Sequence, residues 1–396
     1  MFTSVYFSGF LYSGYTFMDF SLPANAPLLL AFAKLPDPRK ERNRLYPLID
    51  IIAVVVMGMI CGANDIMSVY LWAQHRKDWF VSMGLCLKGL PSYDTLNRVF
   101  RFLDPKEFNH CFMEWVSVIA GRIRGVIAID GKTLCNSGDV FQGTKPIHLV
   151  NAFAAENQLI LGQLATEAKS NEITAIPELL KLLTIDGAII TIDAMGCQKE
   201  IVQQIKSQGG EYVIALKGNQ GNLHAEIENF FQQAREVLPT ESGCDYAQTV
   251  EKNRGRVEER KIWACVLDWL EDEELTKEWV GIRSVVCVQS NRTHKGKTST
   301  EFRYYISSLE PAAERHASVV RSHWGVENNV HWHLDVTFGE DGNKTRAGHG
   351  AENMSLVRKT VLNLLKADKS VKAGVETKRK VAGWNPDYLL KILGVK

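Results

Sequence analysis

Three short runs decide the fold: VIAIDGK at 126–132, GAIITIDAMG at 187–196 and YVIALKGN at 212–219. Each carries an unbroken apolar or β-branched stretch that is too short for a helix and bounded by Gly. Such a run predicts a strand covered on both faces. The strands at 126–129 and 187–192 end on an aspartate, Asp130 and Asp193. The strand at 212–216 ends on Lys217-Gly218-Asn219. Between them, 148–155 and 158–165 read as a hairpin around Glu156-Asn157. The segment 171–183 reads as an amphipathic helix with Ile173, Ile176, Leu179, Leu180 and Leu183 on one face. A further helix over 198–206 is closed by Gly209-Gly210. The order is strand, strand, strand, helix, strand, helix, strand. An antiparallel hairpin thus feeds a βαβαβ run, which predicts an α/β fold: a mixed sheet with helices on both faces.

Outward from these strands the period changes. From 28 to 119 it is helical, and 18–121 reads as an all-helical N-terminal domain. In PSYDTLNRVFRFLDP (91–105), Ser92 is a natural N-cap and Asp94 sits in the first turn. Leu96, Val99, Phe100 and Leu103 form the apolar stripe, and Asp104-Pro105 stops the helix. Its outward residues, Tyr93, Asn97, Arg98 and Arg101, have the form of a recognition helix; a packing helix is the alternative. Downstream, 222–305 reads as a β-rich insertion with strands at 260–266, 280–289 and 302–307. Helices return at 311–324, running toward His333, and at 350–367. The 122–367 stretch reads as the main domain, 368–396 as a basic C-terminal segment and 1–17 as a disordered tail.

Composition excludes several classes. With 396 residues, 45% apolar and 23% charged, the chain can bury a sizeable core. Its net charge of +1 gives no global pull toward polyanions, so any nucleic-acid site is a local patch. After Thr345, eleven Lys and Arg face four Asp and Glu, an excess suited either to phosphate contacts or to a solvated helical face. The eight cysteines show no paired spacing and read as reduced thiols of a cytoplasmic protein. The strongest apolar run, 51–61, is too short to span a membrane.

The chemistry gathers at the strand ends. Two carboxylates on neighbouring strands repel, and a divalent cation between them is the economical explanation; helix capping is the bland one. Glu327, in HWGVENNVHWHLDV (323–336), lies on a helix that could reach both. His323, His331 and His333 with Asp335 raise a rival zinc site, but their spacing suits it poorly. Lys132 and Lys217 follow the strand ends, where they would position a phosphate backbone.

AIDGKTL (128–134), KSNEITAIPELL (169–180), TIDAMGCQKEI (191–201), YVIALKGNQ (212–220) and HWGVENNVHWHLDV resemble the successive motifs of DDE transposases of bacterial insertion sequences. The similarity is to the H-repeat-associated group. That resemblance implies a ribonuclease-H-like core with the insertion before its last acidic helix. It implies Asp130, Asp193 and Glu327 as the catalytic, metal-holding carboxylates, and two Mg²⁺ ions that Mn²⁺ could replace. Related families place Tyr and Arg before the Glu and Lys after it; here Trp324 and His323 precede it and Leu334 or Asp335 follows. Asp335 is therefore the fallback ligand. Lys132, Lys217, Arg321 and His323 become candidate DNA contacts, with Arg98 and Arg101 on the helical domain. The implied activity is cleavage and strand transfer on DNA by a homodimer, with no membrane and no small-molecule substrate. The rivals are a two-metal nuclease without strand transfer and a decayed transposase that only binds DNA.

Overall fold

The computed structural model describes residues 26–394, apart from 122, 140, 142, 167–171, 240, 254 and 271–272. The expected tail at 1–17 lies outside the described residues. The chain opens with helices α1 (Pro27–Phe32), α2 (Leu48–Ile60), α3 (Ile66–Gln74), α4 (Lys77–Ser82), α5 (Tyr93–Phe102) and α6 (Pro105–Ala120). The caps are those the residue types dictate. Ser92 Oγ accepts from the Thr95 amide at 3.2 Å, and the Asp104 carboxylate accepts from that of Lys106 at 2.8 Å.

Then come β1 (Gly125–Thr133), β2 (His148–Ala154), β3 (Leu159–Ala165), helix α7 (Glu172–Lys181), β4 (Ala188–Ile192), α8 (Lys199–Ser207) and β5 (Glu211–Leu216). β1 pairs antiparallel with β2, β2 with β3, and β1 and β5 flank β4 in parallel. This is the ribonuclease-H-like arrangement. All five residues of β4 are buried, as a strand covered on both faces requires. On one face Val126, Ile189 and Val213 pack against Val319 and Val320 of α10 (Ala313–Val326). On the other, Ile127, Ile190 and Ile214 join the main core with α7 and α8.

The insertion, expected to be β-rich, also carries a helix that the sequence reading did not place. It begins with helix α9 (Gly221–Ala234), whose Leu223, Ile227 and Phe231 are buried at four-residue spacing. Then β6 (Asp245–Asn253), β7 (Arg256–Cys265), β8 (Ser284–His294) and β9 (Lys297–Ser307) extend the same sheet, in the order β3-β2-β1-β4-β5-β9-β8-β7-β6. The expectation of eight reduced thiols fails for one pair: Cys244 and Cys265, facing each other where β6 and β7 meet, form a disulfide.

Helices α11 (Gly350–Ala367), α12 (Val375–Trp384) and α13 (Pro386–Ile392) close the chain. For four residues they correct the reading of the basic C-terminal stretch as a phosphate-binding or solvated face, while Arg346, Lys369, Lys372, Lys380 and Lys391 stay exposed. Arg358, Lys359, Lys378 and Arg379 are all buried. Arg379 donates to the carbonyls of Met59 at 3.0 Å, Ala63 at 2.9 Å and Thr337 at 2.6 Å. Lys359 donates to Asn151 at 2.5 Å and Gln163 at 2.6 Å. The outer edge of β3 is sealed by side chains. Asn363 accepts from the Ile160 amide at 2.9 Å and donates to its carbonyl at 2.8 Å, and Asn109 accepts from the Gln163 amide at 3.1 Å. The 26–116 helices and the end of the chain therefore share one core with the sheet.

Candidate active site

Parallel pairing sets Ile129 beside Ile192, so the next residues, Asp130 and Asp193, stand side by side. Strand alternation turns Asp130 to the face of Val126, under α10. Asp193 leaves β4 on that side too, next to Thr191, whose hydroxyl lies 3.0 Å from His323 Nδ1 on α10. One oxygen of each carboxylate is committed: Asp130 accepts from the Gly131 amide at 2.9 Å, and Asp193 from that of Met195 at 3.1 Å. The capping reading of Asp193 thus holds for one oxygen and leaves the other free.

Glu327 follows α10. There the helix widens into π-helical turns, Glu327–His331 and His333–Thr337, an irregularity frequent at functional sites. His331 Nδ1 bonds Glu327 at 3.1 Å and lies 3.7 Å from Asp130, so one ring stands between the helix carboxylate and the strand carboxylate. A carboxylate only accepts, so Nδ1 carries the hydrogen. Burial holds the His331 pKa down, which keeps the ring neutral.

Burial pushes the Asp130 pKa up to about 7, with Glu172, Asp193 and Glu327 adding like charge. Asp193 is raised by the same two causes, burial and Glu172, and eased by exposed Lys217. Glu172 is the residue the sequence reading missed. It opens α7 and meets His148 Nε2 at 2.6 Å, while His148 Nδ1 meets the Thr133 hydroxyl at 2.8 Å. A Cβ at Gly131 would run into the Glu172 carboxylate and the His148 ring, so glycine beside Asp130 makes room for both. The residue stands inside KSNEITAIPELL, where a first-turn acid looks like an ordinary helix start.

Other candidates are placed differently. Lys132 is buried, 2.6 Å from Asp335 and 3.6 Å from Asp341, so it is a structural cation and not an open phosphate contact. That pair gives the carboxylate of Asp335, the fallback ligand of the sequence reading, a cationic partner of its own. His323 is bonded to Thr191, and burial lowers its pKa to about 4; it is neutral and structural. Arg321 stays exposed, 2.7 Å from Glu251. Trp324 sits under the Arg303 guanidinium at 4.4 Å. Of the four outward residues of α5, Arg98 is exposed, while Tyr93, Asn97 and Arg101 line a cleft against the 339–347 loop.

Residues 122–364 match the model of the transposase DDE domain, and 29–116 match that of its associated domain. The chain belongs to the DDE transposase family. Within it, the Escherichia coli K12 protein YbfL is 39% identical over 91% of this chain and 95% of its own length. The H repeat-associated YhhI of the same strain is 39% identical over the same shares. A protein of Xanthobacter autotrophicus, from the dhlA 3′ region, is 37% identical over 70% of this chain and 92% of its own. A piggyBac transposase synaptic complex with hairpin DNA aligns over 95% of this chain and 80% of its own, at 12% identity and a TM-score of 0.40.

Transposases of the DDE family use divalent metal ions. Among the described residues no three His, Cys, Asp or Glu side chains enclose a single point closely enough to hold an ion. The donor set nonetheless fits a hard divalent cation. It is all carboxylate oxygen, and its strand-end member Asp130 is pressed toward neutrality by burial first and then by the like charges of Glu172, Asp193 and Glu327. Among the described residues no helix is long and apolar enough to cross a membrane.

Proposed function

We propose that this chain is a transposase that cleaves DNA at insertion-sequence ends and joins the freed ends to a target by two-metal phosphodiester chemistry. The observation that carries this reading is the adjacency of Asp130 and Asp193 on parallel strand ends, with Glu327 and Asp130 at 3.1 and 3.7 Å from the same His331 nitrogen. Asp130, between the other two, would hold both ions; Asp193 and Glu327 would hold one each. Mg²⁺ is the physiological choice and Mn²⁺ its substitute. When bound, such ions activate an attacking oxygen and stabilise the leaving one in an in-line displacement.

The chain's own residues do the rest. Ile129 and Ile192 fix the spacing of the two aspartates by their ladder pairing. His331 holds Glu327 toward Asp130 without adding charge. Glu172, held by His148, adds negative potential that favours cations over a neutral, protonated site. Exposed Lys217, and Arg321 on exchanging its pair with Glu251, would meet DNA phosphates beside the sheet. Bringing two element ends together calls for a homodimer on DNA. No covalent protein intermediate is required. The 18–121 helices would serve the DNA ends and 122–367 the chemistry.

The test is cleavage of a duplex carrying the element's own ends, with Mg²⁺ or Mn²⁺. Asp193→Asn and Glu327→Gln should each lower the rate at least ~100-fold, the scale expected when a group stabilising the transition state is removed. Full activity in Glu327→Gln would end the assignment of the third carboxylate. Cleavage without joining in a plasmid-target assay would favour the nuclease reading.

A further inference from the structure

A second site lies apart from the carboxylates, between α5 and the 339–347 loop. It is a cleft of about 700 Å³. Tyr93, Asn97 and Arg101 line one wall at four-residue spacing on α5; Asn343, Lys344 and Thr345 line the other. Arg101 Nε is buried with no acceptor, a state that is costly for a charged donor and calls for an anion. The loop is pinned against the same residue. The His349 amide donates to the Arg101 carbonyl at 3.0 Å, and Gly348, at φ +55°, passes so close to that carbonyl that a Cβ would collide with it. Arg346 is not a ligand cation here: it is 3.3 Å from Asp139 and donates to the Asn136 carbonyl at 3.2 Å, clamping the loop. Asp65, the one acidic lining residue, is occupied as the N-cap of α3, accepting from the Ser68 amide and hydroxyl at 2.8 Å. Arg101 and exposed Lys344 are therefore the cations free to meet a ligand.

We propose that this cleft binds a single strand of DNA, with Arg101 and Lys344 on its phosphates and Tyr93 stacked on a base. The proposal rests on the DNA-processing function argued above. Two observations point to a strand and not to a duplex. The polar face of α5 looks across the cleft at the loop, so it is not free to enter a major groove about 12 Å wide. The lining combines two cations, side-chain amides and one aromatic ring, the chemistry of single-strand binding. The loop is also tied to β1 just beyond Asp130, through Lys132 to Asp341 and through Asn136 to the Asp341 carbonyl.

The test is fluorescence anisotropy on the full chain in EDTA, which separates binding from cleavage. The probes are a labelled oligo(dT) 15-mer and a labelled 30-bp duplex, each titrated at several salt concentrations. In Arg101→Ala/Lys344→Ala, affinity for the 15-mer should fall ~10-fold or more while duplex binding changes less than ~3-fold. The slope of log K against log salt for the 15-mer should shrink by about 0.7 for each phosphate contact removed. Tyr93→Ala should weaken 15-mer binding with its salt slope intact. Thermal melting of each variant checks folding, and Lys344→Ala, on an exposed loop, serves if the double variant is unstable. The proposal is overturned if the double variant binds the 15-mer as wild type does. It is also overturned if wild type binds the duplex but not the 15-mer, an outcome that leaves the transposase reading standing. Wild type that binds neither probe overturns both.

Discussion

Asp130 is held in a position that a carboxylate disfavours when no cation is bound. Its folded pKa, about 7, lies above the unfolded value near 3.8, so the folded metal-free protein binds the extra proton. Stability must then fall as pH rises from about 4 to about 7 and stay low above that. In EDTA, Asp130→Asn should leave urea stability unchanged at pH 4 and raise it by about 2 kcal/mol at pH 8, a figure reduced for the solvent that still reaches the group. Equal effects at both pH values would show that the carboxylate is not strained. Millimolar Mn²⁺ should raise the melting temperature of wild type and do so far less in Asp130→Asn. Its neighbour Gly131 makes a second test. Gly131→Ala forces Glu172 and His148 out of their seat and should destabilise by about 2–3 kcal/mol, read by the same titration. No loss would mean that the seat is not filled in solution.

At the scale of elements, the last helices act as fasteners. The buried Arg379 of α12 answers carbonyls at the end of α2 and the carbonyl of Thr337, at the close of the π-helical stretch. It joins the first helices, the acidic helix and the C-terminus through one guanidinium. Arg379→Met keeps most of the volume but orphans several buried acceptors. It should cost about 3–5 kcal/mol and appear as a lower denaturant midpoint. A change below 1 kcal/mol would show that water replaces the guanidinium freely. The side-chain seal on β3 works similarly: Asn109 of α6 and Asn363 of α11 satisfy an edge that would otherwise invite another strand.

Across the whole molecule, the helical start of the chain and the sheet are not independent bodies, because their apolar residues join one core with the C-terminal helices. A chain ended after residue 367 should therefore expose α2 and lose protection in the first helices as well as at its new end. Limited proteolysis with mass mapping reads this directly. Protection of 48–120 equal to that of the full chain would mean that the shared core contributes little.

The amino-acid sequence alone determined the five strands from 125 to 216, their order along the chain and the Asp130–Asp193 pair. These depend on local runs such as Ala188–Ile192, apolar throughout because both faces are covered, and on punctuation by Gly and Asp. It also carried the family, through motifs long enough to be specific. Features whose meaning comes from contacts remote in the chain were not legible. The Leu223, Ile227 and Phe231 stripe of α9 is diluted by polar neighbours, and β6 is a polar edge strand without an apolar run. Lys132 and Asp335, 203 residues apart, look like an active-site cation and a spare ligand until folding joins them. Arg358, Lys359, Lys378 and Arg379 look like a phosphate-binding surface until folding buries them among carbonyls and amides. Glu172 looks like a helix start until the missing side chain of Gly131 lets it approach Asp130. In each case the residue type sets what the group can do, and only the tertiary structure, by choosing its partner and its distance from water, decides what it does.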